Sequence, residues 1–304
     1  MAVRELLLRM AENRGVERLV RRSPVLRPLV QRFIAGESFE EALPKIRELN
    51  QRGMSVALDY LGENSRSAGE AQAAADAYRD LVRRSADAGL DAYLSLKLTQ
   101  LGMDLGDDVA EGHLLQIVDA AQAAGLFVRV DMEGSTYTER TLRVFRRVRD
   151  RLPNVGVVVQ SYLYRTSEDV RELIAQQATV RLVKGAYREP ASIAYPRKRD
   201  VDRSFARIAE MLLEHGVQPA IATHDERLIR HASAHADRIG AGSDRWEFQM
   251  LYGIRRDLQE RLVAEGRKLR IYTPFGTEWY AYFMRRMAER PANAWFVLRH
   301  LARR

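Results

Sequence analysis

The chain of 304 residues has no cysteine and no apolar run long enough to span a bilayer. The lack of cysteine excludes disulfides, thiol nucleophiles and thiolate metal sites, and it fits a reducing compartment. The N-terminus, MAVRELLLRM, lacks the sustained apolar core of a signal peptide. The sequence therefore predicts a cytoplasmic protein, with peripheral contact at the inner face of the cell membrane as an open alternative.

Lysine is scarce although the chain is basic, with a formal net charge of +8. The lysines are Lys45, Lys97, Lys184, Lys198 and Lys268, and arginine supplies the other positive charges. A compact ammonium in a chain that otherwise uses arginine hints at a specific contact. Neither a basic tract nor an RNA-binding motif or zinc-finger spacing is present, so we expect a solvated basic surface and no nucleic-acid partner.

Short apolar runs alternate with amphipathic segments after Gly53. The runs begin at Ser55, Asp91, Leu126, Asn154, Thr179, Gln218, Trp246 and Leu269. The helical segments are residues 69–88, 107–124, 137–152, 167–177, 202–215, 226–236, 255–265 and 277–301. Eight strands alternating with eight helices predict an α/β fold, a (βα)8 TIM-like barrel over residues 49–304. No GxGxxG follows the first run, which disfavours a doubly wound sheet.

Residues 1–48 have helical periodicity, interrupted at Pro24, Pro28 and Gly36. We expect an N-terminal helical segment packed on the barrel. An arginine-rich helix lying on a membrane surface is the alternative.

Polar side chains occupy the ends of the predicted strands, where active sites of this fold lie. They include Asp59, Glu63, Lys97, Thr99, Gln100, Asp131, Glu133, Gln160, Arg181, Lys184, Thr223, His224, Asp225, Gln249 and Tyr272. Buried charge is costly unless it is paired, so Lys97, Asp131 and Arg181 need partners or a ligand. A structural ion pair of Lys97 with Asp131, or a hydrogen-bonded core histidine at 224, is the simpler explanation for each position alone.

The motifs of several reaction classes are missing. No second His or Cys stands at ligand spacing from His224, so we expect no metal. A Ser-centred elbow and a P-loop are also absent. The pattern favours binding of an anionic small molecule beside a cofactor over hydrolysis by a nucleophile.

The stretch YTPFGTEWYAYFMRRMAERPAN, residues 272–293, joins the last strand to a helix. Residues three and four apart share a helical face, so Tyr282, Arg285, Arg286 and Glu289 project as one cluster. Two adjacent guanidinium groups can hold a small anion through paired hydrogen bonds. The alternative for this face, taken alone, is a solvated salt-bridge surface.

Four motifs resemble those of the proline dehydrogenase family: RLVKGAY at 181–187, ATHD at 222–225, EFQMLYG at 247–253 and the stretch at 272–293. The resemblance, to the monofunctional bacterial form, runs from about Ser55 to the C-terminus. It implies noncovalent FAD at the barrel mouth, hydride transfer from C5 of L-proline to give Δ1-pyrroline-5-carboxylate, and a quinone as electron acceptor. It leaves the oligomeric state open.

By motif position the resemblance also implies roles for individual residues. The catalytic positions are Lys97, Asp131 and Arg181, and the substrate-binding positions are Lys97, Tyr272, Tyr282, Arg285 and Arg286. The cofactor positions are Asp131, Gln160, Arg181, Lys184, Gly185, Ala186, Tyr187, Arg197, Lys198, Thr223, His224, Gln249 and Glu289, with Lys198 placed beside Arg197 in a loop. Glu63 is suited to pair with Arg285, which makes the final helix a lid over the mouth.

The chain departs from the family pattern at three positions. Asp225 stands where Asn is common, Met250 where some members have Cys, and Arg188 where an aromatic is frequent. Tyr272 resembles the proline-selective form, because a phenol there crowds a ring hydroxyl. The alternatives are a dehydrogenase of hydroxyproline or another cyclic imino acid, and a basic barrel kept as a binding or scaffold protein.

Overall fold

A computed structural model describes residues 10–11 and 13–288. The predicted helical residues 3–9, Glu289 and the remainder of the last predicted helix lie outside these described residues.

Eight parallel strands close into a barrel in sequence order, which confirms the predicted fold. The strands are β1 Ser55–Tyr60, β2 Ala92–Leu96, β3 Val128–Val130, β4 Val155–Gln160, β5 Val180–Val183, β6 Ala220–Ala222, β7 Glu247–Leu251 and β8 Leu269–Phe275. The last strand closes the barrel by pairing with the first, with Ser55 opposite Arg270 and Tyr60 opposite Phe275.

Helices cover the outside of the barrel. In chain order they are α1 Arg14–Arg21, α2 Arg27–Gln31, α3 Phe39–Gln51, α4 Ala68–Asp87, α5 Asp107–Ala123, α6 Ser135–Arg149, α7 Thr166–Ala175, α8 Lys198–His215, α9 Glu226–Arg238, α10 Arg256–Ala264 and α11 Trp279–Ala288. Because helices pack on the strands from outside, a strand such as β4 is buried along its whole length and reads as an unbroken apolar run.

Helix α8 begins four residues earlier than the sequence predicted, at Lys198. Pro196 restricts the residue before it to extended backbone, and Arg197 is itself extended and serves as the N-cap. Lys198 is therefore the first residue of a helix and does not lie in the loop that the sequence predicted.

Polar side chains fill the interior of the barrel along its axis. Residues two apart on a strand share a face, which places Tyr93 and Ser95 of β2, and Lys97 directly after it, in one column. Gln249 of β7 lies beside this column, because its Nε2 donates to the Tyr93 hydroxyl at 2.6 Å and its Oε1 accepts from Arg181 at 3.1 Å. Barrels of this architecture usually fill this space with branched apolar residues, so the polar interior departs from the common pattern.

The N-terminal helices pack against α11. Val20, Phe33 and Phe283 belong to one buried cluster, separate from the main core. Two hydrogen bonds add to this packing, from the Tyr280 hydroxyl to the Met10 carbonyl at 2.8 Å and from Trp279 Nε1 to the Glu37 carboxylate at 2.7 Å. The following helix, α3, packs on β1 and β8 and runs across the predicted boundary at residue 48, so the two-part division stays a prediction.

Among the helices that the structure describes, none combines the length and the apolar character needed to cross a membrane.

Candidate active site

A cavity of about 450 Å³ opens at the C-terminal ends of the strands. The sequence-predicted residues that line it are Glu63, Lys97, Asp131, Gln160, Arg181, Lys184, Gly185, Ala186, Tyr187, Thr223, His224, Gln249, Tyr272, Tyr282, Arg285 and Arg286. They come from all eight strands or the segments directly after them and from α11, and the barrel brings them together as the sequence predicted.

Asp131 is the centre of the polar network under this cavity. It follows β3 directly, and its Oδ2 accepts from the Tyr272 hydroxyl at 2.8 Å. Its Oδ1 accepts from the Ser95 hydroxyl at 2.8 Å and from an Arg181 nitrogen. The Lys97 ammonium lies 3.9 Å from Oδ2. Four side chains from β2 and its end, β5 and β8 thus hold one carboxylate in a fixed position.

Lys97 is held between two carboxylates. Its Nζ lies 3.3 Å from Asp59 Oδ1, and Asp59 is fully buried. Burial alone would lower the pKa of Lys97, but attraction from Asp59 and Asp131 outweighs it and raises that pKa well above its usual value. Burial also raises the pKa of Asp59, and Lys97 opposes this shift. Lys97 therefore stays a cation throughout the working pH range.

Arg181 extends from β5 across the barrel. Its guanidinium lies 5.1 Å from the centre of the Tyr272 ring and donates to Ser95 Oγ at 2.9 Å. Burial opposes its charge, but the neighbouring Asp131 raises the pKa of Arg181 above the ordinary value. Its Nε is buried with no hydrogen-bond partner among the described residues. A buried donor of this kind at a cavity wall is available to a ligand.

Helix α11 brings Arg285 and Arg286 to the cavity. Arg285 Nη2 lies 2.8 Å from Glu63 Oε1, in a half-buried ion pair across the mouth. The Arg286 guanidinium lies 5.1 Å from the centre of the Tyr282 ring. The pairing of Glu63 with Arg285 that the sequence suggested is therefore present.

The segment after β5 supplies backbone and Lys184 to the cavity wall. Gly185 has φ of +114°, and a Cβ at this position would collide with the Tyr162 ring, so only glycine fits. Lys184 Nζ donates to Asp202 at 2.6 Å and to Asp225 at 3.1 Å. Burial opposes charge on Asp225, but Lys184 and Lys198 outweigh it and lower the pKa of Asp225 to about 2.

The loops after β4, β6 and β7 complete the wall. Gln160 Nε2 donates to the Glu133 carbonyl at 2.9 Å. The Leu251 N–H donates to His224 Nε2 at 2.9 Å, so this ring nitrogen carries no proton in the arrangement. Thr223 Oγ1 accepts from the Asp225 N–H at 3.1 Å.

Two of the sequence-predicted cofactor positions, Arg197 and Lys198, do not line the cavity. Arg197 and Lys198 are exposed at the start of α8, where Arg197 pairs with Asp200, and Lys198 with Asp202 and Asp225. Glu289 lies outside the described residues. Lys198 nevertheless shares Asp225 with Lys184, which connects it to the cavity edge.

Ser95 was not named in the sequence analysis, and Asp59 and Glu133 were named there only as polar strand ends without a function. Ser95 bonds to Asp131 and Arg181. Glu133 accepts from the Thr99 hydroxyl at 2.7 Å, and burial raises its pKa to about 7 in spite of the Thr99 hydrogen bonds. The available signal for Ser95 was its spacing, two residues before Lys97 on the same face of an apolar strand.

Comparison with known proteins adds an independent observation. A family model described as proline dehydrogenase matches residues 42–299. The chain belongs to the proline dehydrogenase family.

Relatives in this family cover nearly the whole chain. The proline dehydrogenase of Deinococcus radiodurans is 41% identical over 300 residues, which are 97% of this chain and 96% of the relative. Proline dehydrogenase 1 of Bacillus subtilis subsp. natto is 40% identical over 274 residues, 90% of this chain and 91% of the relative.

A solved structure of a longer protein of the family shares the fold. Proline utilization A of Bdellovibrio bacteriovorus, in a form inactivated by N-propargylglycine, superimposes with a TM-score of 0.82 at 28% identity. The match covers 87% of this chain and 33% of the Bdellovibrio chain, so this chain spans about a third of that protein.

Proposed function

We propose that the chain oxidises L-proline to Δ1-pyrroline-5-carboxylate with FAD, which takes a hydride from C5, and that the electrons pass to a quinone. The observation that supports this most is the joining of a cationic cluster, Lys97, Arg285 and Arg286, to a tyrosine-walled cavity in a chain of the proline dehydrogenase family. A small zwitterion with one carboxylate suits such a cluster.

The substrate carboxylate would be bound by Lys97, Arg285 and Arg286. Each offers N–H donors, and charge-assisted hydrogen bonds are about twice as strong as neutral ones. Three cations near one carboxylate also disfavour a further positive charge on the adjacent amine, so the neutral amine, the reactive form, becomes more accessible. Tyr272 and Tyr282 would pack against the ring of the substrate.

The cavity suits a flavin nucleotide in size and charge. Its volume of about 450 Å³ lies in the range of cofactor sites. Its lining carries five Lys and Arg side chains against three carboxylates, a surplus of positive charge that fits an anionic diphosphate. The wall residues suited to holding it are Asp131, Gln160, Arg181, Lys184, Gly185, Ala186, Tyr187, Thr223, His224 and Gln249. Arg197 and Lys198 would act from outside the cavity, and Glu289 is proposed from its motif position alone. Bound there, FAD would supply the hydride acceptor.

Arg181 and Asp131 would prepare the acceptor side of the site. Arg181 keeps its charge because Asp131 pairs with it, and it has a buried Nε left to donate. A fixed cation beside the point where negative charge develops lowers the barrier without reorganisation at the moment of transfer.

Glu63 and Arg285 would form the gate of the site. The ion pair ties α11 to the segment after β1 while it is half exposed to water. Exchange of Arg285 between Glu63 and the substrate carboxylate would open and close the mouth.

One experiment tests the proposed reaction directly. Purified protein should be yellow and should bleach anaerobically when L-proline is added. Faster bleaching with hydroxyproline than with proline would favour a hydroxyproline dehydrogenase. A colourless protein that neither binds FAD nor turns over proline would contradict the proposal.

Peripheral membrane contact is a further part of the proposal, and it would bring the flavin site to a membrane quinone. Val25 is 48% exposed and lies between the exposed Arg22 and Arg27. An apolar side chain flanked by cations suits an anionic lipid surface. Replacing both arginines with Glu should lower quinone reduction in anionic vesicles and leave a soluble-dye assay intact. Equal vesicle activity of the variant and the unmodified chain would contradict it.

A further inference from the structure

A cavity of about 160 Å³ lies at the end of the barrel opposite the candidate active site, among residues at the starts of the strands. Tyr93, Arg129 and Trp246 form its base, and each is at most 4% exposed. Its rim carries the exposed side chains of Asp244 and Lys268, which leave it open to solvent. We call this space the floor cavity.

Arg129 is a buried cation that forms no salt bridge within residues 10–11 and 13–288, although it is only 3% exposed. Burial outweighs Tyr93 and, from beyond ion-pair distance, Glu247, which both favour its charge, and lowers the pKa of Arg129. Its Nη1 donates to the Thr179 carbonyl at 2.9 Å, and its guanidinium lies 5.0 Å from the Phe127 ring centre. Gly156 leaves room for it, because a Cβ there would lie 2.6 Å from Nη1. A buried charge normally has a counter-charge within ion-pair distance, and Arg129 lacks one among the described residues.

Three buried polar atoms around the floor cavity have no hydrogen-bond partner in the described part of the chain. They are Arg129 Nε, Thr179 Oγ1 and Trp246 Nε1. All three belong to residues that line the cavity, and all three can donate a hydrogen bond. Buried donors are nearly always satisfied in native proteins, so three together point to a missing acceptor.

The lining of the floor cavity carries a surplus of positive charge, which also suits an anion. Three cations, Arg129, Lys268 and Arg270, face two carboxylates, Asp244 and Glu247. Glu247 is already bound by Arg270, whose Nε lies 2.9 Å and 3.1 Å from its two oxygens. Asp244 lies at the rim with Lys268, so the net positive charge that remains is that of Arg129 at the base.

We propose that the floor cavity binds a small oxyanion. Arg129 supplies the buried charge, Thr179 and Trp246 supply hydrogen bonds, and Lys268 attracts the anion at the rim. A water molecule takes about 30 Å³ in the liquid, so the cavity has space for an anion of four or five heavy atoms. The site is separate from the substrate clamp, which lies at the other end of the barrel.

Calorimetric titration of the full chain, loaded with FAD where it binds, tests the site. Inorganic phosphate and acetate are titrated separately at constant ionic strength. We expect one saturable site per chain, with affinity reduced about tenfold or more in each of Lys268→Met, Thr179→Val and Arg129→Gln, because each removes a donor to a charged group. Tighter binding of phosphate or of acetate identifies the anion class. If Arg129→Gln does not fold, the other two variants decide.

Two matched controls separate this site from other cations. Arg83→Met removes an exposed arginine on α4 and should leave the affinity unchanged. The double variant Arg285→Met/Arg286→Met removes the clamp at the mouth and should also keep the phosphate or acetate site, whatever happens to proline turnover. The absence of saturable binding, or equal affinity in Lys268→Met, Thr179→Val and the unmodified chain, would overturn the proposal.

Discussion

The Tyr272 hydroxyl donates to the Asp131 carboxylate at 2.8 Å, across the barrel from β8 to the end of β3. This bond fixes the ring of Tyr272 at the cavity wall, where Arg181 lies over its face at 5.1 Å. Burial and the nearby Asp131 raise the pKa of Tyr272 well above its usual value, so the phenol stays protonated and keeps donating. Tyr272 thus has a fixed position in the cavity wall, and the effects of its bulk and of its hydroxyl on the site can be tested with separate substitutions.

Substitution of Tyr272 should change substrate selectivity through its bulk. Tyr272→Ser opens space beside the bound ring, so the ratio of kcat/KM for hydroxyproline to that for proline should rise by roughly tenfold or more. Tyr272→Phe keeps the bulk, removes the bond to Asp131, and should leave this ratio near its original value. Steady-state kinetics with both substrates measure it. A larger ratio in Tyr272→Phe than in Tyr272→Ser would contradict the steric explanation.

Loss of one clamp arginine should weaken proline binding while the fold remains. Arg286→Met removes charge-assisted hydrogen bonds to the carboxylate, and we expect KM for proline to rise roughly 10- to 100-fold. Arg285→Met should act in the same direction. Glu63→Gln keeps both guanidinium groups and should raise KM less. Unchanged kinetics in both arginine variants, with normal flavin content, would rule out the clamp.

Glu133 should make stability depend on pH. Burial raises its pKa from 4.5 to about 7, against the Thr99 hydrogen bonds. An acid whose pKa is raised in the folded chain contributes stability that is fully present below about pH 4.5 and is lost as the pH rises through about 7. The free energy of unfolding lost over this range is at most ~3 kcal/mol.

Urea unfolding between pH 5 and 8 measures this effect. Glu133→Gln cannot ionise, so its free energy of unfolding should fall less across the range than that of the unmodified chain. Glu265→Gln, at an exposed position after α10, is the control and should follow the original profile. Parallel profiles for all three proteins would show that Glu133 does not titrate in this way.

Asp225 should weaken binding of an anionic cofactor, because it neutralises Lys184 and Lys198. With a pKa of about 2 it is ionised at every working pH. Asp225→Asn keeps a side-chain oxygen for the N-cap of α9 and frees the lysines, so the Kd for FAD should fall by roughly three- to tenfold. Asp237→Asn, near the other end of α9, breaks only a surface pair with Arg267 and serves as control. Weaker FAD binding in Asp225→Asn than in Asp237→Asn would contradict this.

Much of the mouth could be predicted from the sequence, because the barrel places all strand ends at one edge. Lys97, Asp131 and Arg181 were expected to need partners, and they partner one another. Asp59 as the nearer partner of Lys97 could not be predicted, because it depends on how far β1 and β2 are shifted along each other. In the observed register Asp59 lies opposite Ser95. Ser95 is two residues before Lys97, so Asp59 comes close to Lys97.

The floor cavity and the position of the N-terminal helices could not be predicted from the hydrophobic periodicity of the sequence. Arg129 stands in an apolar run and could equally face outward, and only the closed barrel places it beside Thr179. The periodicity of residues 1–48 predicted a packed segment without naming its contact surface. The structure shows that this contact surface is α11, because Val20 and Phe33 belong to the same buried apolar cluster as Phe283 of α11.

The contact of the chain before α1 with α11 also has a consequence for synthesis on the ribosome. The Tyr280 hydroxyl meets the Met10 carbonyl across a separation of 270 residues. Contacts so distant in sequence form only after nearly all of the intervening chain has emerged, and they come late in folding. A nascent barrel lacking α11 already contains all eight strands, but Arg285 and Arg286 are missing from its mouth. The two arginines of the proposed carboxylate clamp would be the last part of the site to be made, and a ribosome stalled before Trp279 would display a barrel with only Lys97 of that clamp in place.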